Sequence, residues 1–204
     1  MRALIIIAGM LCFMACEENR PVSSKELLQY SLIRSNGLYK QVKKDAAIID
    51  IIYKPSDLIL VQKIMNAHYT LPQIDSMKRV LDQYRYFMIK LSQNGKAITS
   101  SADSQRLQEA TNYLSYYVGK DFKLIQGEDT VHIADFMHMR TFVAATTTNI
   151  LIAFKYELKE SPGRVSILFD DTCFNTGVTK IDFKVEDILA VPQLNMFSVL
   201  RGEL

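Results

Sequence analysis

Residues 150–157 read Ile150, Leu151, Ile152, Ala153, Phe154, Lys155, Tyr156 and Glu157. On an extended chain successive side chains point to opposite faces. Ile150, Ile152, Phe154 and Tyr156 therefore share one uniformly apolar face, with Leu151, Ala153, Lys155 and Glu157 on the other. The run predicts a strand. Toward the C terminus, Pro162 and Gly163 mark a turn, and Val165, Ile167 and Phe169 repeat the alternation. Ile181, Phe183 and Val185 then alternate with Lys180, Asp182 and Lys184, the pattern of a strand with one face in water. Period two holds from about Asp121 onward.

Toward the N terminus the period changes to that of a helix. Between Ala102 and Val118, with Ser101 as cap, the residues Leu107, Ala110, Leu114, Tyr117 and Val118 form one stripe ahead of Gly119. Ser23 followed three residues later by Glu26 is a capping box, and predicts a helix from about Ser24 to Ser35. Pro55 and Ser56 open an apolar helix carrying Leu58, Val61, Ile64 and Met65 that ends near His68. A further helix follows from Pro72, with Ile74, Met77 and Leu81 at three- and four-residue spacing. Tyr39–Lys43 and Ala47–Tyr53 read as a hairpin, and Tyr86–Ser92 as a strand stopped by Asn94 and Gly95. Helices dominate up to Val118 and strands afterwards. The expected class is α+β, with helices in the N-terminal half packed on a mainly antiparallel sheet built largely from the C-terminal half.

The balance of 24 basic against 22 acidic residues leaves no basic excess of the kind that nucleic-acid binding requires. The chain has eight glycines, dispersed and without a phosphate-cradling loop, and no tryptophan, the residue that glycan sites commonly use as a platform. Ten tyrosines and ten phenylalanines remain available for that role. Tyr113, Tyr116 and Tyr117 share the best helix, where they form either a recognition face or, as expected for Tyr117, part of the core stripe.

Candidate chemistry is thin. His132, Asp135 and His138 are spaced by three, which on a helix would gather them as metal ligands. On a strand, that odd spacing sends Asp135 to the opposite face, and no metal or other cofactor is expected. Asp170 and Asp171 end an apolar strand ahead of Thr172, Cys173, Phe174, Asn175, Thr176 and Gly177. Two carboxylates in such a loop can hold calcium or serve as a general acid and base, although Asp, Asn and Gly also simply build turns. Asp170, Asp171 and His132 are the candidate ligand-binding residues. Cys173 can be drawn as a nucleophile with a histidine, but no elbow context surrounds it. Its neighbours Phe169 and Phe174 favour a small buried apolar role instead.

The first residues are organised differently. Met1 and Arg2 precede thirteen uncharged residues, Ala3 to Ala15, which is the layout of a secretory signal and short of the roughly 20 residues a membrane-crossing helix needs. The run stops at Phe13, Met14, Ala15 and Cys16, followed by Glu17, Glu18, Asn19, Arg20 and Pro21. These four residues resemble the lipobox of bacterial lipoproteins, with Phe13 in place of the usual aliphatic residue. An ordinary export signal, with Cys16 incidental, is the alternative. The resemblance implies cleavage before Cys16 and acyl chains, such as palmitate, on that cysteine. Glu17 and Glu18 resemble the acidic signal that sends lipoproteins of Bacteroidota to the outer face of the outer membrane; they also suit a plain solvated tether.

On this reading residues 1–15 are a lipoprotein signal peptide and 16–23 a lipidated tether. Residues 24–204 form a single globular domain, with a subdivision near 119 left open. Cys12 leaves with the signal and Cys16 takes lipid, so Cys173 has no disulfide partner in the chain. The expected function is a non-catalytic envelope lipoprotein, placed in the outer membrane through lipid on Cys16, that binds, adheres or assists, with an envelope protein or a glycan as partner. The alternatives are a tethered hydrolase with a carboxylate and histidine site, and an assembly subunit of a secretion or motility complex.

Overall fold

The computed structural model describes residues 20–65, 68–99, 103–139, 146–159, 163–174 and 176–201. The signal, Cys16, Glu17 and Glu18 lie outside these residues, as do Ser101, Ala102, Pro162 and Asn175. Strand β1 (Tyr39–Lys44) turns into β2 (Ala47–Lys54) through Asp45, which takes a positive φ of 48°. Strand β3 (Tyr84–Gln93) folds back onto β4 (Lys96–Ala97) through Asn94 and Gly95, at φ 53° and 72°. Positive φ at both central residues matches the twist of a tight hairpin, and Asn-Gly supplies it at least cost.

Later strands are β5 (Phe122–Gln126), β6 (Asp129–His132), β7 (Asp135–Met139), β8 (Thr148–Lys155), β9 (Arg164–Asp170) and β10 (Val178–Lys184). They do not join a single sheet. The larger sheet runs β1-β2-β3-β8-β7, with β4 pairing on β3, and the smaller runs β10-β9-β5-β6. All these pairings are antiparallel. The α+β class holds, and six of the ten strands among the described residues follow Gly119. The N-terminal half nonetheless supplies β1 to β4 of the larger sheet.

One core lies between the two sheets. Ile49, Ile51, Phe87, Ile89, Ile150 and Ile152 from the larger meet Phe122, Leu124, Ile167, Phe169 and Phe183 from the smaller. The Phe87 ring sits 5.3 Å from Phe183 and 6.2 Å from Phe154. Aromatic rings at such separations gain energy beyond their burial. The smaller sheet turns its other face to water, as the alternating burial along β10 shows.

Two helices, α2 (Ser56–Ile64) and α3 (Leu71–Leu81), cover the opposite face of the larger sheet, and α1 (Ser24–Leu32) lies against β2 and α2. Ile59, Leu60, Ile64, Ile74 and Leu81 pack there on Tyr86 and Ala153 in a second core. This explains why Ala153 is buried although it lies on the face opposite Ile152. Ser23 and Glu26 form the expected box, with Ser23 N donating to Glu26 Oε2 at 2.8 Å. Thr70 and Gln73 form a second box at α3.

Helix α4 (Ser104–Tyr116) packs Ala110, Tyr113 and Leu114 into the core between the sheets. Its observed cap is Asp103, whose carboxylate accepts from Gln105 N and Arg106 N. The core side of this helix departs from expectation: Tyr113 is buried with Ala110 and Leu114, whereas Tyr117 is 53% exposed. Gly119 follows, where a Cβ would come within 2.6 Å of the Phe136 ring.

After β10 the chain forms α5 (Val185–Leu189) and α6 (Met196–Leu200). Between them it returns to Val22, just ahead of α1. Val22 N donates to Gln193 O at 2.9 Å and Asn195 N to Val22 O at 2.8 Å, a parallel bridge centred on Val22 and Leu194. No described helix is long and apolar enough to cross a membrane.

Candidate functional site

The loop after β9 takes its shape from two carboxylates. Asp171 Oδ1 accepts from Cys173 N at 2.9 Å and Phe174 N at 2.8 Å, and Oδ2 accepts from Thr176 N at 2.6 Å and Thr176 Oγ1 at 2.7 Å. An aspartate that satisfies the next backbone amides builds a turn. Asp171 is thereby committed to its own loop. Asp121, which sequence reasoning missed, is the second anchor. It is buried, and its Oδ2 accepts from Thr172 N at 3.1 Å, Thr172 Oγ1 at 2.8 Å and the Tyr113 hydroxyl. Burial first, and then the Asp121 carboxylate, push the Tyr113 phenol far above its ordinary pKa, so it stays a donor. The Tyr113 ring in turn meets Phe174 edge-on at 5.3 Å.

Beside this loop opens a cleft of about 440 Å³, lined by Gln93, Ile98, Arg106, Glu109, Cys173 and Phe174 among others. Cys173 is an exposed free thiol there, a correction to the buried apolar role expected of it. Only Phe174 of the pair turns inward, because the backbone bonds to Asp171 fix which side chain points to the core. Partial desolvation of its sulfur at the cleft wall, followed by the charges of Asp171, Asp121 and Glu109, raises the thiol pKa. A catalytic cysteine needs the reverse, a nearby positive charge that favours the thiolate. The cleft offers Arg106, Glu109 and the Gln93 amide to a small polar ligand, beside the Ile98 and Phe174 side chains.

The remaining candidates do not converge with it. Asp170 ends β9 on the solvent face of the smaller sheet, exposed and opposite Val178. His132 is exposed on β6 in register with Lys123, which pairs with Leu168. Asp170 and His132 thus lie two strands and two residues apart, about 12 Å at ordinary strand spacings. Asp135 and His138 belong to the other sheet. His138 pairs with Ile150 on the inner face and Asp135 with Ala153 on the outer one, so the odd spacing on a strand does separate them. Among the described residues no group of three or more His, Cys, Asp or Glu is placed to hold a metal ion.

Two further surfaces carry binding chemistry. Tyr116 and Tyr117 at the end of α4 are 69% and 53% exposed, edge-on to one another at 6.4 Å, with Lys120 Nζ 5.3 Å from the Tyr117 ring. A shallow apolar groove crosses the helical layer, lined by Lys63, Tyr69, Met77, Val80 and Leu81. Compared with models of protein families, with curated proteins and with solved structures, the chain shows no match.

Proposed function

We propose that the protein is a lipid-anchored lipoprotein of the bacterial cell envelope, in the outer membrane, whose folded body works by binding and not by catalysis. The observation that carries the anchor is the cysteine at the step from apolar run to polar tether, Phe13, Met14, Ala15 and Cys16. One acyl chain holds a protein to a bilayer only marginally, and two or more hold it stably. A binding role draws support from the way the carboxylates near the cleft are used: Asp171 and Asp121 are taken up by the loop and by Tyr113. A tethered hydrolase would instead need Asp170, Asp171 and a histidine facing one cleft, whereas Asp171 is taken up by its own loop and His132 lies two strands away from Asp170.

Mass spectrometry of the protein from its native membranes should find Cys16 as the first residue, bearing acyl chains. Cys16→Ala should release the protein into the soluble fraction. A bare thiol, or another first residue, would sink the anchor. Robust turnover of an esterase, glycosidase or peptidase substrate that Asp170→Ala or His132→Ala abolishes would sink the non-catalytic reading.

A further inference from the structure

Large apolar side chains left in water are unevenly spread over this molecule. Of fourteen such residues among those described, nine lie on or directly beside α1, α2, α3 and α6, and the smaller sheet on the opposite side carries one, Val178. In α1, Ser24, Leu27 and Ser31 point inward, while Lys25, Leu28 and Leu32 share an outer flank, Leu28 and Leu32 being 48% and 44% exposed. In α6, Ser198 and Val199 point inward, while Phe197 and Leu200 straddle the outer side at 73% and 46% exposure, with Arg201 next to them.

The two helices are held together at their starts. Val22 and Leu194 bridge in parallel, and each chain enters its helix two residues later, at Ser24 and at Met196. The Val22 position is also where the tether leaves the body. From Cys16 to Val22 are six residues, and a chain spans at most about 3.3–3.6 Å per residue, so the bridge lies within roughly 20 Å of an acylated Cys16. Lipid on that cysteine thus presents a bilayer to the side of the body on which α1 and α6 begin.

We infer that the exposed side of α1 and α6 is a membrane-docking surface, with Phe197, Leu200, Leu28 and Leu32 entering the headgroup boundary of the bilayer to which Cys16 is anchored. This rests on the anchor proposed above. Short amphipathic helices lie in the interface plane by burying an apolar face and leaving basic side chains at the headgroups, the roles that fall to Lys25 and Arg201. Acyl chains and docked helices then act as two linked attachments, the first raising the effective concentration of the second.

The chain has no tryptophan, so Phe197→Trp supplies a single reporter. The mature chain from Cys16, carrying Cys173→Ser, is coupled by its Cys16 thiol to a maleimide phospholipid in phosphatidylethanolamine and phosphatidylglycerol vesicles with quencher-labelled acyl chains. The indole of Phe197→Trp should be quenched, and that of a separate Val178→Trp reporter should not. Adding Leu28→Glu and Leu200→Glu should abolish the quenching. Vesicle-bound protein with both reporters unquenched would overturn docking, as would burial of the indole at position 197 through self-association without vesicles, which would make a second copy the occupant. Because this coupling is chemical, docking is read whether or not the native cysteine is acylated, and mass spectrometry of the native product judges the anchor separately.

Discussion

A single hydroxyl couples the best helix to the loop that shapes the cleft. Tyr113 donates to Asp121, whose same oxygen receives both donors of Thr172, so removing the phenol takes one of three bonds from a buried carboxylate. Hydrogen bonds to charged groups contribute about 1.5–3 kcal/mol, and Tyr113→Phe should destabilise the fold by roughly that amount near neutral pH. The pH dependence follows from the direction of the shift. Burial, then Asp121, raise the folded-state pKa of Tyr113 above its ordinary value of 10.0. Above pH 10 the unfolded chain releases this proton while the native state keeps it. The contribution is therefore complete below about pH 10 and is lost as pH climbs through the folded value. Urea unfolding of wild type and Tyr113→Phe should show a stability gap that narrows above pH 10. A gap constant with pH would mean that the phenol is not held protonated by its surroundings. Tyr86, raised to about 12 by burial, titrates in both proteins and cancels in the difference.

At the scale of elements, α1 depends on a signal confined to four residues. Ser23 Oγ accepts from Glu26 N at 3.3 Å and Glu26 Oε2 accepts from Ser23 N at 2.8 Å, satisfying two amides that the first turn leaves open. Ser23→Ala should cost about 1 kcal/mol, read as a lower denaturation midpoint with unchanged slope. A loss close to zero would show that the Val22–Leu194 bridge, not the cap, fixes the start of this helix. Such local signals were legible in the sequence: the capping box, the Asn94–Gly95 turn, the alternation along β8 and β10. Rotation of a helix about its axis was not. Tyr113 and Tyr117 both fit the apolar stripe of α4, and the choice falls to Phe174 and Asp121, which meet Tyr113 from elsewhere in the chain. Strand alternation likewise specifies which face is buried without naming a partner strand, so the division into two sheets stayed hidden. The short helices α5 and α6 are too brief for a period to show. Of the cleft, the turn role of Asp171 was readable from residue type, whereas Asp121, which anchors the neighbouring loop, and Glu109, which lines the cleft, are brought there only by the fold.

Across the whole molecule, the central question is whether the halves on either side of Gly119 unfold together. Their apolar residues interleave: Phe87 precedes Gly119 and Phe183 follows it, yet their rings meet at 5.3 Å between the sheets. Within the smaller sheet Phe122 stacks on Phe169 at 4.4 Å, and both belong to the same core as Ile89 and Leu114. Neither sheet can keep its inner face dry without the other, so separating them would expose the largest fully buried side chains among the described residues. Phe183→Ala, which empties the contact with Phe87, should cost about 3–5 kcal/mol, a large part of the roughly 5–15 kcal/mol by which domains are ordinarily stable. Because the two inner faces share that contact, the loss should reach both sheets equally. Native-state hydrogen exchange at Ile89 in the larger sheet and Ile167 in the smaller should report the same opening free energy in wild type, lowered by the same amount in the variant. If Ile167 alone became labile while Ile89 kept its protection, the smaller sheet would be a separate folding unit, and the boundary near Gly119 would divide two domains.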